Sequence, residues 1–173
     1  KIDANIIGNI GLNLETISNK ISKVKYQHSG VTKLKKVIAD NLANKQIYSE
    51  GVLVNQVLGQ LDSHYSSYIL CNDIGTHRHV TAVYYRAKNT CDYITSAGFS
   101  SFGTGLPLGI GAKLASPDRN VVVIAGDGGF HSNSGELETA SRLGLKMTVI
   151  VMNNNTNGLI KRYQLYGPNA RQN

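Results

Sequence analysis

The 173-residue sequence predicts an α/β fold built on a parallel β-sheet with helices on both faces. Val121 to Ala125 is apolar at every position, which suits a strand covered on both sides rather than one with a wet face. Residues 121–152 read as strand, glycine turn, helix, strand. That is the order of a βαβ unit, whose crossover is expected to be right-handed. With 41% hydrophobic and 17% charged residues, the chain has the composition of a folded globular protein. At this length it can bury roughly 70% of its unfolded surface.

Each element has a local reason. Before residue 50 the chain is rich in Lys, Asn and Ile, and Gly8 to Gly11 reads as a turn. Residues 14–24 and 32–43 have helical spacing, the second with Val31, Leu34, Ile38 and Leu42 on one stripe. Val52 to Leu61 is expected to be a helix with Val54, Val57, Leu58 and Leu61 on one face. Tyr68–Cys71 and Ile94–Ser96 are short strands. Leu106 to Leu114 is a helix opened by Pro107, and Gly109 and Gly111 would let it pack closely. After the Val121–Ala125 strand comes Gly126-Asp127-Gly128-Gly129, then a helix. Asn133 is a candidate cap for it, with Glu136 at the capping-box position. Gly144 stops it. Met147 to Met152 is a second buried strand, running into Asn153-Asn154-Asn155. The last residues, Tyr166 to Asn173, are polar and end without a closing element, so the chain reads as cut at both ends.

Composition excludes several classes. The longest wholly apolar run is Val121–Ala125, far short of the about 20 residues of a membrane span. Lys1 to Asn9 lacks the apolar core of a signal peptide. Cys71 and Cys91 are too few for a disulfide framework and read as free thiols of a cytoplasmic protein. The net charge of +7 raises the question of nucleic acid. Much of it comes from lysines spread along the helical sequence before residue 50, with no arginine or tight basic block there, so a solvated lysine face is expected. No GxGxxG, GxxxxGK[ST] or GxSxG pattern occurs. His77 and His79 lack a nearby Cys or acid to complete a zinc set.

Ligands of a parallel sheet bind beyond the carboxyl ends of its strands. Asp127 follows one strand and Asn154 follows the next, and neighbouring strands lie about 4.8 Å apart. A carboxylate and an amide oxygen at one edge form a hard-oxygen pair suited to Mg²⁺. Glycines flanking Asp127 would let backbone N–H groups approach a phosphate at a helix N-terminus. A strand-ending turn and a plain surface loop remain the bland alternative.

Gly126-Asp127-Gly128 followed by Asn153-Asn154 resembles the thiamine diphosphate signature of the acetolactate synthase and 2-oxo acid decarboxylase superfamily. Upstream, Asp73-Ile74-Gly75-Thr76-His77, Tyr84-Tyr85, Thr95-Ser96-Ala97-Gly98 and Gly105-Leu106-Pro107 with Ile110-Gly111-Ala112 are similar to the acetolactate synthase pattern. The resemblance covers about residues 50–166. It implies a truncated, doubly wound parallel sheet of the thiamine diphosphate-binding fold. Residues 46–173 would be the diphosphate and Mg²⁺ domain, incomplete at its C-terminus, and residues 1–45 a remnant of the middle domain plus a helical linker. It also implies Mg²⁺ ligation by Asp127, the Asn154 side chain and the Thr156 carbonyl. Thr76, His77, Ser101, Gly126, Gly128, Gly129, Asn157, Gly158 and Leu159 would line the cofactor. Phe102 falls at the wedge position that bends thiamine, where Leu or Met is usual.

In such enzymes the glutamate that activates the pyrimidine comes from a partner subunit's pyrimidine-binding domain. Glu50, Glu136 and Glu138 do not match it. The resemblance therefore implies no catalytic residue on this chain, half a cofactor site, a 2-oxo acid substrate and a homodimer or homotetramer, without nucleic acid or membrane. Tyr163 stands where biosynthetic acetolactate synthases carry Trp. Ser100-Ser101-Phe102-Gly103, Gly129 to Ser134 and Asn154 to Tyr163 are similar to carboxyethylarginine synthase. The expected activity is an acetolactate synthase-like carboligase or decarboxylase. The alternatives are a carboxyethylarginine synthase-like carboligase, a non-catalytic phosphate- or nucleotide-binding module and a nucleic-acid binder using the lysine face.

Overall fold

The computed structural model describes residues 9–21, 29–44 and 53–167. Backbone contacts divide the chain into two compact units, Lys1–Ser49 and Glu50–Asn173. The first carries helices α1 (Ile10–Ile21) and α2 (Ser29–Asn44). Helix α1 begins at Ile10 rather than residue 14, because Asn9 Oδ1 accepts the Leu12 N–H at 3.2 Å and caps it. The expected turn therefore gives way to helix by Ile10, and Gly8 lies outside the described residues.

The second unit runs α3 (Val54–His64), β1 (Ile69–Asn72), α4 (Thr76–Tyr84), β2 (Tyr93–Thr95) and α5 (Gly105–Ala115). It continues with β3 (Val121–Gly126), α6 (Asp127–Ser132), α7 (Glu136–Arg142), β4 (Thr148–Met152) and α8 (Gly158–Tyr166). The four strands pair in parallel in the order β2-β1-β3-β4, with Cys71 opposite Val123 and Ile124 opposite Ile150. The fold is thus α/β with a doubly wound parallel sheet, as expected. Helices α4, α6 and α8 were not in the sequence reading. They start straight after the glycine- and asparagine-bearing loops; the buried positions of α4 are the polar His77 and Thr81, and α8 buries no residue.

Strand alternation sorts the core onto two faces. Leu70, Val122 and Ile124 pack with Val54, Leu58 and Leu61 of α3. Ile69, Cys71, Val121 and Val123 pack with Ala112 of α5. The far side of α5 contributes Leu106 and Ile110 to a third cluster with Ala140 of α7. Each such buried aliphatic side chain contributes about 1.5–3 kcal/mol. A Cβ on Gly109 would collide with Val123 Cγ2, so that glycine does set the helix–sheet approach. Gly111 faces open space, and its expected packing role does not hold.

Helix α7 ends as foreseen. Gly144 has φ +64°, its N–H donates to Ser141 O at 3.0 Å, and Leu145 N–H donates to Ala140 O at 2.9 Å. This is a Schellman closure, with Leu145 packing in the Ala140 cluster. The start differs. Gly135 precedes α7 and no side chain caps it. The Asn133 amide turns away and donates to Gly103 O at 2.8 Å, so the expected capping box is absent.

At the amino end of the sheet, Asp92 is buried and Arg119 Nη2 donates to its Oδ1 at 2.6 Å. Its Oδ2 accepts N–H groups of Lys88, at 3.2 Å, and Asn89, at 2.7 Å. Burial alone would raise this carboxyl, but the Arg119 guanidinium and the Asn89 donors outweigh it and hold it below the usual range. Nearby, Tyr65, Tyr68, Tyr85 and Tyr93 stack in sequence with ring centroids 5.5–5.9 Å apart. Among the described residues, strand β4 is one edge of the sheet and β2, of three residues, the other.

Candidate cofactor site at the carboxyl edge of the sheet

The chain leaves β1 toward β2 on one side and toward β3 and β4 on the other. The carboxyl ends of β1 and β3 therefore flank the point where the winding reverses, the place where open α/β sheets form a crevice. The loops above it carry the residues singled out from sequence. Asn72, the last residue of β1, pairs with Ile124, and Gly126, the last of β3, pairs with Met152. Asp127 is therefore one residue past β3, and Asn154 two past β4, at one edge.

After β1 the chain passes Asp73 and Gly75 into α4. The His77 ring folds back over Gly75, where a Cβ would stand 2.6 Å from Cε1, and lies beside Gly126, where it would stand 3.4 Å away. His77 is buried, and its Nε2 has no hydrogen-bond partner. Burial pushes the imidazole below its ordinary value, with His79 adding to this, and the carboxyls of Asp73 and Asp127 counteract only in part. The neutral ring is therefore favoured at pH 7. Arg78, beside it, donates from Nη1 to Ser100 Oγ at 3.4 Å.

Three turns meet over β3. A Cβ on Gly128 would stand 2.6 Å from Asn157 Oδ1 and 3.1 Å from Phe102 Cζ. One on Gly158 would stand 3.1 Å from Asn154 Nδ2 and 3.6 Å from Thr76 Oγ1. The structure thus brings together Thr76, His77, Phe102, Gly126, Gly128, Asn154, Asn157 and Gly158. Gly129 is buried on the other side of its turn, against Asp73. Ser101 sits on a flanking turn, its carbonyl accepting from Thr104 Oγ1 at 2.9 Å, and Leu159 is the second residue of α8.

The proposed ligand set offers a carboxylate (Asp127), an amide oxygen (Asn154) and a backbone carbonyl (Thr156). This all-oxygen chemistry fits Mg²⁺. Asn154 Oδ1 accepts the Thr156 N–H at 3.2 Å, and Thr156 O accepts the Gly158 N–H at 2.8 Å. Each oxygen keeps a second lone pair. The missing side chain of Gly128 lets Asn157 and Phe102 approach the start of α6. Among the described residues, no group of three or more His, Cys, Asp or Glu could hold a metal on its own. A carboxylate–amide–carbonyl set falls outside that residue list.

Residues 73–173 match the thiamine pyrophosphate enzyme family, at its C-terminal TPP binding domain. The chain belongs to this family. The chain is 41% identical over 96 residues to the acetolactate synthase large subunit of Lactococcus lactis, covering 56% of this chain and 17% of that one. It is 32% identical over 168 residues to the acetolactate synthase large subunit of Buchnera aphidicola from Schizaphis graminum, covering 94% of this chain and 29% of that one. Its fold is like that of a Rhodococcus jostii thiamine diphosphate-dependent 4-hydroxybenzoylformate decarboxylase, with a TM-score of 0.62 at 24% identity over 69% of this chain and 23% of the other. The chain thus spans well under a third of the length of these relatives. Among the described residues no helix is long and apolar enough to cross a membrane.

Sequence reasoning gave two neighbours of the site no part in it. Asp73 belongs to the Asp73-Ile74-Gly75-Thr76-His77 motif without a site role of its own, and Asn133 reads as a helix cap. Nothing in the linear pattern signals either contact, since both reach across to turns far away in sequence.

Proposed function

We propose that the carboxyl edge of β1, β3 and β4 binds the diphosphate of thiamine diphosphate through Mg²⁺. The protein of which this domain is part would be an acetolactate synthase-like carboligase or decarboxylase acting on a 2-oxo acid. The observation that supports this is that Asp127 follows β3 and Asn154 and Thr156 follow the adjacent β4, at one edge of the sheet, in a chain of the thiamine pyrophosphate enzyme family.

Thiamine diphosphate supplies the electron sink that lets a 2-oxo acid lose CO₂. The chain's own residues bind and orient. Asp127 brings the formal negative charge that anchors the cation, and Asn154 and Thr156 add neutral oxygens. N–H groups at the start of α6 face the phosphates, aided by the positive end of the helix. Neutral His77, its ring held between Gly75 and Gly126, lines this edge without adding a positive charge that would compete with the cation. Phe102, lying against Gly128, gives the thiamine ring an apolar prop.

Around this edge Phe99 is 97% exposed, Phe102 49% and Tyr163 64%. We take this apolar surface to face the pyrimidine-binding domain of a second subunit, in a homodimer or homotetramer. Buried Cys71 and exposed Cys91 are unpaired, as suits a reducing cytoplasm.

Titration calorimetry on the complete protein tests the reading. With Mg²⁺ present, Asp127→Ala is expected to abolish thiamine diphosphate binding, and Asn154→Ala to weaken it less. Removing Mg²⁺ from the unaltered protein should mimic Asp127→Ala. Unchanged affinity in Asp127→Ala would falsify the metal site. The 173-residue chain by itself is expected to leave pyruvate unchanged, because the activating glutamate has no counterpart in it.

A further inference from the structure

Asp73 is wholly buried, and neither carboxyl oxygen has a hydrogen-bond partner among the described residues. An unpartnered buried carboxyl costs stability, so its position calls for a reason. Its surroundings supply one. Its Cβ lies against Gly105, the first residue of α5, where an added Cβ would stand 2.7 Å away. Its Oδ2 lies against Gly129, in α6, where an added Cβ would collide with it. The side chain occupies the gap that two glycines leave between the turn carrying Phe102 and the turn carrying Asp127.

A second tie joins the same two turns on the outside. The Asn133 amide, just past α6, donates to Gly103 O at 2.8 Å. Gly103 has φ +81°, and an added Cβ there would stand 2.6 Å from Asn133 Nδ2. Glycine is thus required both for the backbone conformation and for the close approach. Phe102 in turn rests on Gly128. The paired turns are propped apart by Asp73 and drawn together by Asn133.

We propose that Asp73 and Asn133 are positioning residues that fix the separation between the Phe102 turn and the Asp127–Gly129 turn. They set the distance between the prop for the thiamine ring and the anchor for the metal. Asp73 acts here by shape, since no donor among the described residues engages its oxygens. This rests on the cofactor reading above.

Hydrogen–deuterium exchange on the cofactor-free complete protein tests the spacing directly. Asn133→Ala removes a half-buried amide and leaves the core intact. It is expected to speed exchange at least fivefold in residues 102–106 and 127–130 while 121–125 in β3 keep their protection. Calorimetric affinity for thiamine diphosphate with Mg²⁺ should fall at least tenfold. Asp73→Ala is expected to do the same, and Asp73→Asn, which keeps the shape, to restore both readouts to within about threefold of the unaltered protein. Unchanged exchange in both turns overturns the proposal. So does loosening that spreads equally into β3, which would make both residues general packing, or an Asp73→Asn variant as defective as Asp73→Ala. If the unaltered protein binds no thiamine diphosphate, the cofactor reading fails instead, and the exchange result stands apart from it.

Discussion

Gly128 shows how little room a phosphate-facing turn allows. A methyl group there meets Asn157 Oδ1 at 2.6 Å and Phe102 Cζ at 3.1 Å. Both are far ends of flexible side chains on exposed turns, so Gly128→Ala is accommodated by displacing them. The fold should survive, with a stability change under about 1 kcal/mol, since Gly128 is half-buried in the first turn of α6 and the groups it meets can swing away. The cofactor should not be so tolerant: calorimetry is expected to read a loss of roughly tenfold in thiamine diphosphate affinity, because the displaced side chains enter the space a phosphate would use. An affinity within twofold of the unaltered protein would mean that the phosphates lie elsewhere. This residue was legible in the sequence because a glycine next to Asp127, after an apolar strand, has a local chemical meaning. Asn133 was misread for the opposite reason. Its Ser/Asn-x-x-Glu spacing is a valid local cap signal, but a carbonyl on a turn 30 residues earlier competed for the amide and won.

At the scale of the element, the same division between local and distant causes recurs. Strands β1 and β3 and helix α5 announce themselves by apolar runs, and the structure finds them within one or two residues of where periodicity puts them. Helices α4 and α8 carry polar residues on most sides and exist because the loops before them bend into helical turns above the sheet. In α4 the inward face mixes Val80 and Tyr84 with the polar His77 and Thr81, and α8 buries no residue, so a search for a purely apolar stripe passes both over. The end of α7 was readable because a left-handed residue needs glycine. Gly144 at φ +64° closes two hydrogen bonds, and alanine there pays a left-handed penalty of about 1–2 kcal/mol. Nothing lies within 4 Å of an added Cβ, so the penalty should be purely conformational. Gly144→Ala is expected to lower the thermal midpoint of the domain by roughly 3–10 °C. Gly144→Asn, which tolerates the left-handed region, should lower it by less. Equal losses in the two variants would point to packing rather than backbone conformation.

For the whole molecule, the sheet separates its duties by edge. The carboxyl edge carries the glycine turns and the unpartnered polar groups. The amino edge carries the Asp92–Arg119 pair, whose geometry is fully satisfied on the carboxylate side. Removing one partner of a buried pair leaves the other charge uncompensated and costs about 3–5 kcal/mol. Arg119 is a third exposed and can rehydrate, so Asp92→Asn should sit near or below the lower end, about 3 kcal/mol. The pH dependence has a defined sign. The folded-state carboxyl titrates below its unfolded value of about 3.9, so the folded protein holds the ionised form and the stabilisation is complete above that value. It is lost as the pH falls through the folded-state value. The gap in thermal midpoint between the unaltered protein and Asp92→Asn should therefore be constant from pH 5 upward and narrow below about pH 4. A gap that widened on acidification would contradict the pairing.

Strand β4 has a further consequence for anyone handling the domain. Its outer side offers a row of backbone donors and acceptors along Thr148-Val149-Ile150-Val151-Met152, a stretch without charge, proline or glycine. Such a row is a template for adding a strand from another molecule, and this segment has the composition that stacks into fibrils. Lys146, exposed just ahead of it, is the nearest charge in sequence on that side and acts as its gatekeeper. The domain in isolation will keep best when dilute and cold, and neutralising Lys146 should shorten the time it stays in solution.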